Sequence, residues 1–368
     1  MASGRFVIVL SGFPRRSETF ALHEVQALAA QGAAAAVFAT KPGDGLRLHP
    51  AAEDLASRVQ VLPPGTPAAQ ARALVQRLDG ERVDAVHGYF AHAPAEVAML
   101  AAEQLGVPFG FSAHARDVRK VPRRSLAERA AAARCVVACN HDVAATLEHH
   151  DATVDLVPHG VDLGRFSPGP RVAHHTGSMR LLAVGRLVEK KGFPVLLHAA
   201  SRLVGTLDYR LRIIGDGPEH GRLTRLIARL GLEDNVQLEG SLTHRELPDA
   251  YRWADAVVVP SIIDRHGDRD GLPNVILEAL ATARPVVASR VAAVGAVIRE
   301  DDTGLLVPPG DANALADAIL ALSADGSLRR RLGDAGRGLV EQRHSLGACT
   351  EQLRVLLESR YALEAVRR

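Results

Sequence analysis

Aromatic residues are scarce in this chain, 4% of 368 positions with a single tryptophan. A surface that stacks single-stranded bases needs more rings than that, so a nucleic-acid platform is not expected. Net charge is nearly absent as well: 44 Lys and Arg oppose 42 Asp and Glu, leaving +2, without the basic excess of a dedicated nucleic-acid binder. Cysteine is limited to Cys135, Cys139 and Cys349. The first two lie on one strand-like run, where about 3.3 Å of rise per residue holds them too far apart to bond. Reduced, buried thiols are expected, as in a cytoplasmic protein. Long apolar runs are missing. The start offers a five-residue stretch before Gly12 and Pro14, and the Ala-rich region near 25–39 is interrupted by Gln26, Gln31 and Gly32. Neither a signal peptide nor a membrane span is expected from such runs.

What is present is an ordinary globular composition, 47% hydrophobic and 23% charged, with a core to be built from Ala, Leu and Val. At roughly 100–200 residues per domain, the length suits two domains. Short Val/Ile/Leu-rich runs alternate with helical patterns, the mark of βα units and parallel sheets. Strands are predicted near 6–11, 35–40, 59–62, 84–89, 108–113, 135–139 and 154–158. A helix is predicted over about 19–31, capped by Ser17 or Thr19 and stopped by Gly32. Residues 165–179 are rich in Pro, Gly and Ser without a period, which reads as a linker. The pattern then restarts, with strands near 179–185, 209–214, 235–239, 255–260, 285–289 and 304–307. The expected domains are 1–168 and 169–343, both doubly wound α/β, followed by a helical segment 344–368 that packs back on the first.

Four loops each follow a predicted strand and open toward a helix. In GlyArgLeuValGluLysLysGly at 185–192, Arg186, Lys191 and a helix N-terminus converge. Two fixed cations with backbone N–H donors are what a diphosphate needs, although spacing alone fits a surface turn with solvated charges at least as well. In the segment 261–280, Asp270 precedes a helix and Glu278 lies roughly two turns into it. Gly271, Leu272 and the following amides stand at the helix start, ready for a sugar or phosphate oxygen. A carboxylate there can accept two ribose hydroxyls, although taken alone Glu278 reads more readily as a charge satisfying the helix dipole. IleGlyAspGlyPro at 214–218 with Gly221 has the spacing GxGxxxG rather than GxGxxG, so a tight strand-to-helix turn is the better reading. PheSerAlaHisAlaArgAsp at 111–117 closes a strand, which turns His114 toward the ligand-binding end of a sheet.

Taken together, these pieces resemble the family 4 retaining glycosyltransferases. The matching segments are SerGlyPheProArgArgSerGluThrPhe at 11–20, PheSerAlaHisAlaArgAsp at 111–117, ValProHisGlyValAsp at 157–162, GlyArgLeuValGluLysLysGly at 185–192, IleIleGlyAspGlyPro at 213–218, AlaAspAlaValValValProSer at 254–261 and AspGlyLeuProAsnValIleLeuGluAlaLeuAla at 270–281. They occur in the family's order over residues 6 to about 310, and SerGluThrPhe with GlyAspArgAspGlyLeuPro is similar to the exopolysaccharide branch, colanic-acid-type transferases included.

The resemblance implies a GT-B fold, two Rossmann-like domains facing across a cleft, with the donor on the second and the acceptor mainly on the first. It implies that Arg186 and Lys191 hold the nucleotide diphosphate, that Glu278 binds the ribose, and that the segment around Glu239 and Gly240 faces the base. It further implies that His114 touches the donor sugar near the reacting carbon, that Gly12 faces the diphosphate or acceptor, and that Gly215, Gly271, Leu272, Pro273 and Asn274 line the donor site. Asp270 stands where the family's paired-glutamate motif has its first Glu, one methylene shorter, and Tyr89 stands where related members often carry a second His. The expected reaction is retaining transfer from a nucleotide sugar, UDP before GDP, to a hydroxyl of a glycan, a lipid-linked saccharide or a small molecule. No cofactor and no metal is expected. Asp268 and Asp270 look like the Asp-x-Asp metal signature of the other main glycosyltransferase fold, but Arg186, Lys191 and a helix N-terminus already supply that charge. The basic cluster Arg116, Arg119, Lys120, Arg123 and Arg124 reads either as a solvated loop or as a peripheral contact with the inner face of a membrane. Rival readings are another GT-B chemistry, epimerase or phosphorylase, and a non-catalytic two-lobed sugar-binding protein.

Overall fold

The first strand shows how the chain is organised: all eight residues of β1 (Phe6–Phe13) are buried. Burial on both faces belongs to a parallel sheet covered by helices on each side. In the computed structural model, residues 5–13, 15, 19–43, 55, 57–115, 117–149, 152–169, 177–243 and 245–362 are described. Ser17 as a helix cap, Arg116 of the basic cluster and residues 170–176 of the expected linker lie outside them.

Two units emerge, Met1–Gly160 with Leu346–Arg368, and Val161–Ser345. In the first, β1 is joined by β2 (Ala34–Pro42), β3 (Val59–Val61), β4 (Ala85–Gly88), β5 (Phe109–Ala113), β6 (Cys135–Ala138) and β7 (Val154–Leu156), all parallel in the order β3-β2-β1-β4-β5-β6-β7. Alternate side chains serve alternate faces. Val7 and Val9 join the core under the helices Pro67–Leu78 and Ala93–Leu105, whereas Phe6, Ile8 and Leu10 join the one under the helices Thr19–Ala30 and Leu346–Ala362. That last helix belongs to the first unit because Leu353, Leu357 and Tyr361 sit in its core and Arg360 pairs with Asp155.

The second unit repeats the plan with β8 (Met179–Val184), β9 (Tyr209–Ile214), β10 (Val236–Leu238), β11 (Ala256–Val259), β12 (Val286–Ser289) and β13 (Leu305–Val307), in the order β10-β9-β8-β11-β12-β13. It begins at Val161, which bridges to Ser345, and Phe166 lies in its core against Tyr251. Both sheets are therefore doubly wound, reversing direction between β1 and β4 and between β8 and β11. In such sheets ligands bind beyond the carboxyl ends of the strands at the reversal. Every strand expected from the sequence is found, with ends displaced by at most two residues. Cys135, Cys139 and Cys349 are buried and none is in a disulfide. Of the basic cluster, Arg119 pairs with Asp142 and Arg124 with Glu128, while Lys120 and Arg123 are exposed.

Docking of the C-terminal helix involves one titrating group. His87, on β4, is buried between the Tyr361 hydroxyl at 2.7 Å and Ser112 Oγ at 2.9 Å. Burial, helped by the charge of His114, lowers its pKa to about 3. A folded-state value below the unfolded one near 6.5 means that the neutral form stabilises the fold. This contribution is complete above about pH 6.5 and is lost as the pH falls toward 3. Between pH 7 and 5 the loss attributable to His87 is about 2 kcal/mol. Urea unfolding of His87→Gln should therefore lose about 2 kcal/mol less than the wild type over that interval; equal losses would show that His87 does not titrate in this window.

Candidate active site

In the second unit, the loops after β8 and β11 are knitted together at the reversal. β8 ends at Val184 and Gly185 follows it, then comes the turn Glu189–Lys191, and the helix Phe193–Leu203 begins after Gly192. Gly192 has φ of +66°, and a Cβ there would lie 1.8 Å from the Pro260 carbonyl oxygen, so only glycine lets the two loops approach. The Ile262 N–H donates to the Lys190 carbonyl at 2.8 Å. Side chains complete the junction. Lys191 Nζ lies 2.7 Å from one Asp270 oxygen, Lys190 Nζ lies 3.5 Å from the other and 3.2 Å from Asp268, and the Ser261 hydroxyl donates to Asp270 at 3.0 Å. Burial alone would raise the Asp270 pKa, but Lys191, Lys190 and the hydrogen bonds from Lys191 and Ser261 outweigh it and hold the carboxyl below its ordinary value.

Around this junction the expected donor positions gather. Arg186 is exposed and makes no side-chain hydrogen bond or ion pair with any described residue. Gly271, Leu272 and Pro273 lead into the helix Asn274–Ala281, whose first turn has no side-chain cap; the Ile276 N–H donates to the Pro273 carbonyl at 3.0 Å, and those of Asn274 and Val275 are open to an acceptor. Glu278 sits five residues into that helix, one turn rather than the expected two. It is also buried rather than a solvated dipole charge: the Tyr251 hydroxyl donates to one of its oxygens at 2.7 Å. Burial raises its pKa against the opposing pull of Tyr251, Arg165 and Lys191. Its other oxygen has no partner among the described residues.

The glycine turn after β9 is structural in the sense expected. Gly215 has φ of +148° and a Cβ there would lie 1.9 Å from the Gly185 carbonyl oxygen, while its N–H donates to Gly240 at 2.7 Å. The carboxyl ends of β8, β9 and β10 are thereby drawn together. The Glu239 side chain is engaged by Arg212, which takes both its oxygens at 2.5 Å and lies 4.8 Å from the Trp253 ring centroid. The Glu239 carboxylate, expected near the base, is thus already occupied.

Gly12 and His114 belong to the first unit. Gly12 is buried in β1 and paired with Lys41. His114 ends β5 inside an aromatic cluster, with ring centroids 5.0 Å from Phe20, 5.3 Å from Tyr89, 4.8 Å from Phe90 and 5.1 Å from His159. Its backbone N–H donates to Asp117 at 2.7 Å, and burial lowers its pKa, so the ring is neutral near pH 7. Tyr89 does not present its hydroxyl to an acceptor: it is fully buried and donates to Glu24, which also holds His159 at 2.7 Å. Sequence reasoning assigned no role to Glu24, His159 or Tyr251. The first left a trace, since Glu24 interrupts the apolar stripe of Ala21, Val25 and Leu28. Tyr251 left none, because its partner is 27 residues away.

Two doubly wound units, the second with cationic and helix-terminal groups at its strand reversal, have the architecture of the GT-B fold. The comparisons agree. Residues 17–165 match the family model described as "Glycosyltransferase Family 4", and residues 178–325 match that of "Glycosyl transferases group 1". The chain belongs to the family 4 glycosyltransferases. It is 38% identical over 165 residues to a protein of Escherichia coli K12 named as a colanic acid biosynthesis glycosyltransferase, WcaL, covering 45% of this chain and 40% of that one. It is 34% identical over 174 residues to the alpha-D-kanosaminyltransferase of Streptomyces kanamyceticus, covering 47% and 44%. The chain thus spans under half the length of these relatives. Its fold is similar to that of Anabaena HepE, solved in complex with UDP, with a TM-score of 0.81 at 17% identity over 97% of this chain and 100% of that one.

Gly192→Ala combines a strained φ with a clash against backbone, each costing about 1–3 kcal/mol. The variant should lose roughly 2–5 kcal/mol in urea unfolding, whereas Gly221→Ala, exposed on a helix, should change stability by less than ~1 kcal/mol. Equal behaviour of the two would mean that the loops do not meet at Gly192.

Proposed function

We propose that the chain is a retaining, metal-independent glycosyltransferase that moves a sugar from a nucleoside diphosphate sugar to an acceptor hydroxyl. The observation that carries this reading is Lys191, on the loop after β8 that also bears the exposed Arg186, held 2.7 Å from Asp270 just ahead of the uncapped helix start at Gly271–Asn274, at the strand reversal of the second unit. A diphosphate placed there gains the exposed Arg186 guanidinium, the remaining donors of Lys191, and N–H groups at the positive end of a helix dipole. The free oxygen of Glu278 suits a ribose hydroxyl.

In the transfer itself the acceptor oxygen bonds to the anomeric carbon as the bond from that carbon to the diphosphate oxygen breaks. The acceptor proton passes to the departing oxygen on the same face, which leaves the configuration retained. The chain's own part is to hold the reactants and to stabilise the charge that grows on the diphosphate. Neutral His114 meets the donor sugar as a hydrogen-bonding group rather than as a cation. Asp268 and Asp270 each carry a lysine partner, which supports a mechanism in which lysine and arginine, not a divalent ion, neutralise the leaving group. UDP is the favoured nucleotide, in line with the HepE complex. The acceptor is a hydroxyl of a glycan, in line with the colanic acid biosynthesis in the name of WcaL, or of a lipid-linked saccharide, with a small molecule the alternative.

Arg186→Ala and Lys191→Ala should each lower turnover some 10²–10³-fold, the usual loss for one electrostatic contact to a developing charge, with the fold intact by circular dichroism. Near-wild-type rates in both would remove the diphosphate assignment. Free UDP should form only when an acceptor is present, which separates transfer from epimerisation and from simple sugar binding. Exhaustive EDTA should leave the rate unchanged; activity abolished by EDTA, restored by Mn²⁺ and lost in Asp268→Asn would overturn the metal-independent reading.

A further inference from the structure

The first unit holds a buried ionic group that this chemistry does not itself use. His159 Nδ1 lies 2.7 Å from Glu24 Oε1, the Tyr89 hydroxyl donates to the other Glu24 oxygen, and Cys139 contacts His159 through its thiol. All four residues are buried or nearly so, and His159 is the penultimate residue of its segment of the unit. The His159 ring lies parallel to that of His114, with an interplanar angle of 6° and centroids 5.1 Å apart. Phe20 packs on both rings, at 4.3 Å from His159 and 5.0 Å from His114.

His114 lacks any comparable tether. Its Nδ1 is buried without a hydrogen-bond partner and stops 3.8 Å from the nearest Asp117 oxygen, beyond hydrogen-bonding range. The Asp117 carboxylate is spent instead on the backbone N–H groups of Ala91, His114 and Val118. A buried, unpartnered ring nitrogen is a costly arrangement that marks a place where a partner arrives. With no polar group fixing the ring from within, its plane is set by what it stacks on.

We infer that the Glu24–His159 ion pair, tied by Tyr89, is a positioning element that sets the plane of the His114 ring for a sugar hydroxyl. The inference rests on the proposed contact between His114 and the donor sugar. His159, with its pKa raised to about 10 by Glu24 and Cys139 against the effect of burial, presents a cation to the face of His114. That cation opposes protonation of His114. The other charged or titrating groups around the His114 ring are Asp117 on its own segment, Glu24 from the first helix, His87 from β4 and His92 from the loop after it. Asp117 and Glu24 favour the protonated ring, and His159 counters them.

The test uses the full chain with labelled histidine rings, the His114 signals being assigned by their loss in His114→Gln. In His159→Gln the cation is gone and Glu24 remains, so the titration midpoint of His114 should rise, and the acid limb of the kcat profile should move to higher pH with it. Glu24→Gln should shift the His114 ring signals and lower kcat about 10²-fold, the cost of a misplaced contact, while the KM for donor and the affinity for UDP stay within about two-fold. Tyr89→Phe should do the same more weakly, and it carries the test if Glu24→Gln does not fold. His114 signals and titration unchanged from wild type in His159→Gln and Tyr89→Phe would overturn the inference, as would a fall in kcat without any change at His114. Should the wild type transfer no sugar, the proposed function fails, and the histidine titrations still decide whether His159 positions His114.

Discussion

The second unit depends on one buried carboxylate. Asp270 sits between Lys190, Lys191 and Ser261, and through them it fastens the loop after β11 to the loop after β8. These strands flank the point where the sheet reverses, the place that a doubly wound fold leaves open for a ligand. A carboxylate taken out of water without partners would be strongly destabilising, and removing one partner of such a group costs more than the group contributes when paired. The lysines are thus held as firmly as the acid. Lys191 is thereby fixed in the loop after β8, and a phosphate bound there as proposed would meet it with little reorganisation.

The two units use the same open position differently. In the second, the carboxyl ends of the strands carry glycines that allow backbones to touch, at Gly192 against Pro260 and Gly215 against Gly185, and lysines fixed by acids. In the first, the corresponding end of the sheet is filled by rings, Phe20, Tyr89, Phe90, His114 and His159, around a single ion pair. One end gathers lysines and backbone groups. The other is built to hold a neutral hydrogen-bonding ring within apolar surroundings.

Much of this was legible in the sequence, and the reason is local. A parallel strand buried on both faces needs a short continuous run of Val, Leu, Ile or Ala, so β1, β8 and β11 could be read directly. Loops that follow such runs and end in glycine and cations could be read as well, which is how the sequence singled out Arg186, Lys191 and Asp270. What escaped was long-range pairing of side chains. Nothing near Glu278 announces that Tyr251 will donate to it, and nothing near Glu239 announces that Arg212 will occupy its carboxylate. Glu24 and His159 are 135 residues apart, and only the packing of the helix Thr19–Ala30 on the sheet brings them together. The depth of Glu278 in its helix was misjudged because Pro273, not Asp270, ends the extended segment.

The central claim is that a nucleoside diphosphate binds at the reversal of the second sheet. Hydrogen exchange of backbone amides with and without UDP tests it most directly, because it reports where the ligand sits without relying on turnover. The account predicts protection concentrated at residues 185–193 and 271–276, with the loop after β9 and Gly240 following. Protection confined to the first unit, or none at saturating UDP, would contradict it.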